Sequence, residues 1–190
     1  ATANGDVDLV AKRDHDRVTG KLDWNFRETK NPTTYQWGTT QRRTRGELQY
    51  DHFGQTDLYF WANSSALNDS FADIDLQWIS GAGAGYKVVK EKDVSLSASA
   101  GLAYVKMDFH VAEDREFPAG RAALNFAWTP AERVKVMHES SVAPSLKHGD
   151  ETEDVIVRLD TRVRWTIVNR LFAQVRWVID HNRAPSPGFE

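Results

Sequence analysis

The chain has 190 residues, with 24 Lys and Arg against 27 Asp and Glu, a net charge of −3 and no cysteine. One domain with a real interior fits that length, while disulfides, thiol chemistry and Cys-based metal sites are excluded and the electrostatic case for nucleic-acid binding falls away. With 27% charged and 41% hydrophobic residues the composition is not that of a disordered chain, and no apolar run reaches the ~18 residues of a membrane-spanning helix.

In chain order, apolar–polar alternation predicts ten strands, over 5–12, 17–27, 40–52, 57–66, 73–89, 94–109, 119–128, 133–141, 153–167 and 171–181. The second sets Val18, Gly20, Leu22, Trp24 and Phe26 against Arg17, Thr19, Lys21, Asp23, Asn25 and Arg27. The ninth sets Val155, Val157, Leu159, Thr161, Val163, Trp165 and Ile167 against Asp154, Ile156, Arg158, Asp160, Arg162 and Arg164. The tenth sets Leu171, Ala173, Val175, Trp177 and Ile179 against Phe172, Gln174, Arg176, Val178 and Asp180. A helix over 153–167 would scatter its charges around the whole circumference.

Many of these strands reach the roughly 9–11 residues that a tilted strand needs to cross a bilayer. One antiparallel sheet this large has exposed edges, and closing it into an up-and-down barrel removes them. The connections alternate too: short at 13–16, 53–56, 90–93, 129–132 and 168–170, long at 28–39, 67–72, 110–118, 142–152 and 181–190. Short turns on one side and long polar loops on the other are the habit of bacterial outer-membrane barrels, so the expectation is an all-β antiparallel transmembrane β-barrel forming one domain over 1–190. No basic-then-apolar export segment is present; for an exported protein this would be a mature or trimmed chain.

Alternation alone leaves open which face looks inward. The polar register carries both signs densely, in Lys21, Asp23, Arg27, Arg43, Arg45, Glu47, Asp51, Arg158, Asp160, Arg162, Arg164, Arg176 and Asp180, a set able to pair across a lumen. The apolar register is nearly free of charge, Arg42 being the exception, and carries Trp24, Phe26, Tyr86, Tyr104, Trp128, Trp165 and Trp177 in the manner of interfacial girdles. Apolar side chains are therefore expected to face lipid and ionic ones to be enclosed. The rival is a soluble lipocalin-like carrier with an apolar interior, but the Gly-x-Trp signature of that class is absent, Gly20 and Trp24 being four apart.

Local motifs add little chemistry. Gly81-Ala82-Gly83-Ala84-Gly85-Tyr86-Lys87 fits neither phosphate-loop spacing; its glycines fall on one strand face, where they admit bulky neighbours or a sharp bend. His138-Glu139-Ser140 would place a base and a nucleophile on one face, as in a membrane-embedded lipid hydrolase, with no third group evident to orient the His. The six His are scattered, and Asp14-His15-Asp16 and His148-Gly149-Asp150-Glu151 read as solvated turns rather than cation sites. The acidic loop 150–154 could join a cation layer with lipopolysaccharide phosphates. No cofactor or metal site is expected. The charged lumen reads either as a salt-bridged plug or as a constriction in a small pore, and the barrel size favours an occluded interior.

The order of Leu48-Gln49-Tyr50-Asp51-His52-Phe53, the glycine strand ending at Lys87, Ala100-Gly101-Leu102-Ala103-Tyr104 and Asp180-His181-Asn182-Arg183-Ala184-Pro185-Ser186-Pro187-Gly188-Phe189-Glu190 resembles the salt-induced outer-membrane protein family of Gram-negative bacteria. That resemblance covers about residues 46–190 and implies an outer-membrane barrel, lipid and lipopolysaccharide as surroundings, and no established reaction or ligand. Family members begin with an additional strand and a Gly-Asn turn, of which Ala3-Asn4-Gly5 reads as the remnant, and end with a strand after the Pro-Gly segment. The expectation is thus about twelve strands, two of them outside this chain or replaced by a partner. The function expected is a non-enzymatic barrel, either structural and anchoring or a narrow channel, linked to envelope or salt stress.

Overall fold

The computed structural model describes residues 2–30, 37–147, 155–168 and 171–182. Ten strands follow one another: β1 (Thr2–Arg13), β2 (Asp16–Lys30), β3 (Trp37–Phe53), β4 (Leu58–Asp69), β5 (Ile74–Lys90), β6 (Val94–Phe109), β7 (Arg115–Ala131), β8 (Val134–Pro144), β9 (Val155–Val168) and β10 (Leu171–Asn182). Each pairs antiparallel with the next, giving a single up-and-down sheet in sequential order.

Several strands run about three residues beyond the alternation reading, and two of these boundaries have a clear physical cause. Residues 3–5 are not a turn: they lie inside β1, opposite Phe26, Asn25 and Trp24, because β2 is extended over its whole length and Trp24 lies across Gly5. The seventh strand starts at Arg115, with Pro118 inside it. The Pro118 carbonyl accepts from Leu146 N on the β8 side, where β8 has already ended, so its missing N–H forfeits no rung of the regular ladder. The loop before β7 is correspondingly shorter than predicted.

A flat sheet would hold β2 and β10 about 38 Å apart, at ~4.8 Å per strand step. Yet Arg176 on β10 bonds Asp23 on β2, and Arg162 on β9 reaches Asp8 on β1 at 2.8 Å. The sheet is therefore curled into an open half-barrel. Among the described residues β1 and β10 share no ladder, and the seam between them is bridged by side chains. Alternation assigns the faces from these contacts. Leu22, Trp24, Leu48, Phe60, Leu102, Leu124, Trp165, Val175, Trp177 and Ile179 all point outward and are exposed.

On the inner face, β5 and β6 carry the glycine stripe. A Cβ on Gly83 or Gly101 would come within 2.8 or 2.7 Å of Trp61 Cζ2, and one on Gly85 would overlap the Tyr59 ring. The missing side chains let Trp61 and Tyr59, from β4, lie flat over the neighbouring strands, and Trp61 Nε1 then donates to the Ala84 carbonyl at 3.4 Å. Toward the long loops the same wall is filled by Leu67, Ile74, Ile79, Ala103, Val105, Met107, Phe109, Phe117, Ala119 and Ala143. Ala72 and Ala112, from two neighbouring loops, pack on this cluster. Those loops are tied together by buried Asp73, held at φ 58°, whose carboxylate accepts from Val111 N and Ala112 N at 3.3 and 3.2 Å.

The stripe makes a direct prediction. Gly83→Ala should lower stability by about 1–3 kcal/mol, the usual cost of overpacking. Gly46→Ala, whose Cβ would meet nothing within 4 Å, should leave it unchanged. Urea titration of the folded protein, followed by tryptophan emission, reads both.

Candidate functional site

The interior has two unlike walls. The β4–β7 wall is mostly apolar, as described. The facing wall, from β1–β3 and β8–β10, is ionic, because the polar registers of those strands all turn inward.

Its centre is Asp160 on β9, 3% exposed. Arg162 donates to it through Nε and Nη2 at 3.1 and 2.9 Å. Arg176 donates through Nε at 3.1 Å and Nη2 at 2.7 Å. The free ends of the two guanidinium groups reach the opposite edge of the sheet, Arg162 to Asp8 and Arg176 to Asp23. A second cluster lies nearer the long loops. Arg158 Nη1 bonds both carboxylate oxygens of Asp180 at 2.9 Å, Arg43 bonds the same carboxylate, and Arg45 lies 3.8 Å from it. Arg43 also lies 3.7 Å from Asp69, and Arg158, 4.0 Å from Asp160, links the two clusters. Every carboxylate here serves at least one planar guanidinium, the pairing that best satisfies enclosed charge.

The other predicted lumen residues sit apart. Lys21 spans the interior to Glu139 on β8 at 2.6 Å. Asp51, fully buried, accepts from Arg17 Nε and Gln49 Nε2, both at 2.8 Å. Glu47 lies within Coulombic range of Arg121 on β7, whose guanidinium stacks over Trp61 at 5.0 Å. Arg164 donates to Gln174 at 3.0 Å and lies over Phe172. Arg27 is exposed near the far end of β2. The alternation reading did not single out Asp8, Arg17, Asp69, Arg121 or Glu139 for this network. Their signal was position on the polar register; which of them meet was set by closure.

The predicted aromatics all point outward. Trp24, Tyr86, Tyr104, Trp128, Trp165 and Trp177 are exposed, and Phe26 is half-buried. Outward Tyr50, Phe60 and Trp78, absent from the predicted set, complete two belts. Tyr50, Phe60, Tyr86, Trp128 and Trp165 lie near the short turns, and Trp24, Phe26, Trp78, Tyr104 and Trp177 lie toward the long loops. Trp78 and Tyr86 are eight residues apart on β5, which at ~3.4 Å per residue and ~40° tilt separates the belts by about 21 Å, close to the apolar band of a membrane barrel.

His138 and Ser140 lie on the outer face, opposite Thr161 and Leu159. His138 Nδ1 is 2.8 Å from Thr161 Oγ1. Asp16, beside His15, is occupied by Tyr50 Oη and His52 Nδ1. Among the described residues no group of three or more His, Cys, Asp or Glu could hold a metal ion. His148, the acidic loop 150–154 and the 183–190 tail lie outside the described residues.

Asp160→Asn would leave Arg162 and Arg176 enclosed without their shared carboxylate. Breaking such a pair costs about 3–5 kcal/mol, so the urea midpoint should fall sharply. Asp14→Asn should not move it: that side chain is 82% exposed, and at φ 46° Asn is tolerated as well as Asp.

A search of solved structures finds similarity to a structure titled as the deltaS2 mutant of the TodX monoaromatic hydrocarbon channel, with 12% sequence identity, a TM-score of 0.46, and coverage of 95% of this chain and 67% of that one. No curated protein matches the chain. The profile of a family described as "Protein of unknown function, DUF481" matches residues 1–190, the whole chain, which therefore belongs to that family.

Proposed function

We propose that this chain forms the wall of an outer-membrane β-barrel of a Gram-negative bacterium. In this reading it is non-enzymatic, and a charge-lined, largely occluded lumen gives it the character of a narrow channel. The supporting observation is the joint arrangement of the two faces: an ion network enclosed between β1–β3 and β8–β10, and a continuous outward apolar band flanked by aromatic belts. In water, so many outward Leu, Trp, Val and Ile side chains would form an apolar patch far above the few hundred Å² that soluble monomers tolerate. Against hydrocarbon the same band is favourable, and the lipid and lipopolysaccharide of the outer leaflet are its natural partners. The apolar fill under the Asp73-tied loops narrows one half of the lumen, leaving the ionic half as the path. The family resemblance adds a role under envelope or salt stress.

His138 lies on the outer register with its Nδ1 turned to Thr161 Oγ1, so the lipid-hydrolase alternative has less support than the barrel wall. A soluble lipocalin-like carrier would enclose its apolar residues on all sides, whereas half of this interior is ionic. A barrel that anchors a larger assembly is favoured by one observation: among the described residues the outer edges of β1 and β10 pair with no strand, and such edges could receive partner strands. A stable partner recovered with the protein in mild detergent would support that role.

Leu102, 66% exposed at the middle of β6, separates lipid from water. Leu102→Arg should destabilise the protein by about 2–4 kcal/mol in bilayers, the cost of a mid-bilayer cation. On a water-facing surface the same change would be nearly neutral. In planar bilayers the wild type should show small, discrete conductance steps; silence would remove the channel role and leave the structural one.

A further inference from the structure

We infer that the short-turn mouth of the lumen is a cationic vestibule that binds multivalent oxyanions of the phosphate class. The inference rests on the barrel reading above and assigns it a solute chemistry. Five inward cations, from five strands spaced around the sheet, lie within a few residues of their short turns: Lys12 on β1, Arg17 on β2, Lys87 on β5, Lys135 on β8 and Arg164 on β9. Among the described residues, the inward carboxylate at this level is Asp51, and it is already held by Arg17 and Gln49. Asp57, in the adjoining turn, is taken by Lys90. Deeper in the lumen the two signs balance, as in the Asp160 and Asp180 clusters; on the inward strand positions at this mouth they do not.

The way these cations are held sharpens the point. Lys87 Nζ sits 4.0 Å from the centre of the Phe53 ring, Arg17 lies 5.1 Å from the same ring on its other contact, and Arg164 lies 4.5 Å from Phe172. Arg164 Nε donates to Gln174, a neutral acceptor. An aromatic face fixes a cation in place without cancelling its charge. A carboxylate would do both. Arg17 is neutralised by Asp51, whereas Lys87 and Arg164 are positioned by aromatic rings with their charge intact, so the mouth leaves the field of its four other cations for a solute. Rings of Arg and Lys are the means by which anion and phosphate pores select their ions, and planar guanidinium groups favour oxyanions over spherical ones. The chain's net charge of −3 conceals this local excess.

The test is a calorimetric titration of pyrophosphate into the detergent-purified full chain at low salt, beside reversal potentials in a KCl gradient across planar bilayers. Saturable pyrophosphate binding is expected, weakening as salt rises. The Lys87→Gln/Lys135→Gln double variant should weaken it about threefold or more, the scale of two partly exposed charges. Lys87→Arg, which keeps a cation over Phe53, should retain binding, as should Lys92→Gln in the outer turn. The wild-type reversal potential should show anion preference, reduced in the double variant. Absence of saturable binding, binding untouched by the double variant, an equal loss in Lys92→Gln or a cation preference would each overturn the vestibule. Bilayer silence with binding intact would count against the channel reading and leave the vestibule standing.

Discussion

Everything in this molecule depends on where its charges are put. Ionisable side chains alternate with apolar ones along β2, β3, β9 and β10, so whichever face is enclosed must satisfy its own polar atoms. Enclosing the ionic face costs several kcal/mol per unpaired ion. Pairing offsets that cost only when partners arrive with good geometry, and the partners here come from opposite ends of the chain. Asp8 and Arg162 are 154 residues apart, and Asp23 and Arg176 are 153 apart. The curl of the sheet is what brings them together, and they in turn hold the curl where, among the described residues, β1 and β10 share no ladder. Because a one-residue slip would send every charge to the outer face, the network also fixes the strand register.

The apolar wall solves a different problem. A sheet bent around a lumen must fill the space its curvature leaves. Here β5 and β6 give up side chains at Gly83, Gly85 and Gly101, and β4 supplies Tyr59 and Trp61 to cover them. The large rings replace lost contact area, and Trp61 carries Arg121 over its face. Toward the long loops the wall closes on Val105, Met107 and Phe117, all nearly inaccessible. The interior is thus filled on one side and ionic on the other, and both a structural and a conducting role draw on the ionic side.

The strand count and the order of the turns were readable from the amino acids, because period-two alternation is local and each strand declares itself. The inner faces were readable where one register is ionic, as at 17–27, 153–167 and 171–181. They were not readable at 58–69, where Leu58 and Phe60 alternate with Tyr59 and Trp61 and both registers are apolar. That is why the filled wall, with Trp61 at its centre, escaped the sequence reading. The glycines announced a close approach but not which residue approached. Pro118 hid the start of β7, since its cost depends on whether a neighbour strand needs the missing donor. Which Arg meets which Asp is a long-range property of closure, and no local pattern encodes it.

The claim under all of this is that the apolar register meets hydrocarbon while Trp61 is enclosed. Fluorescence quenching by lipids brominated along their acyl chains measures it directly, in reconstituted variants that keep a single tryptophan. Trp177, on the outer face of β10, should be strongly quenched, and Trp61 should keep its emission. Strong quenching of Trp61, or an unquenched Trp177 in a protein firmly held by the bilayer, would contradict the account.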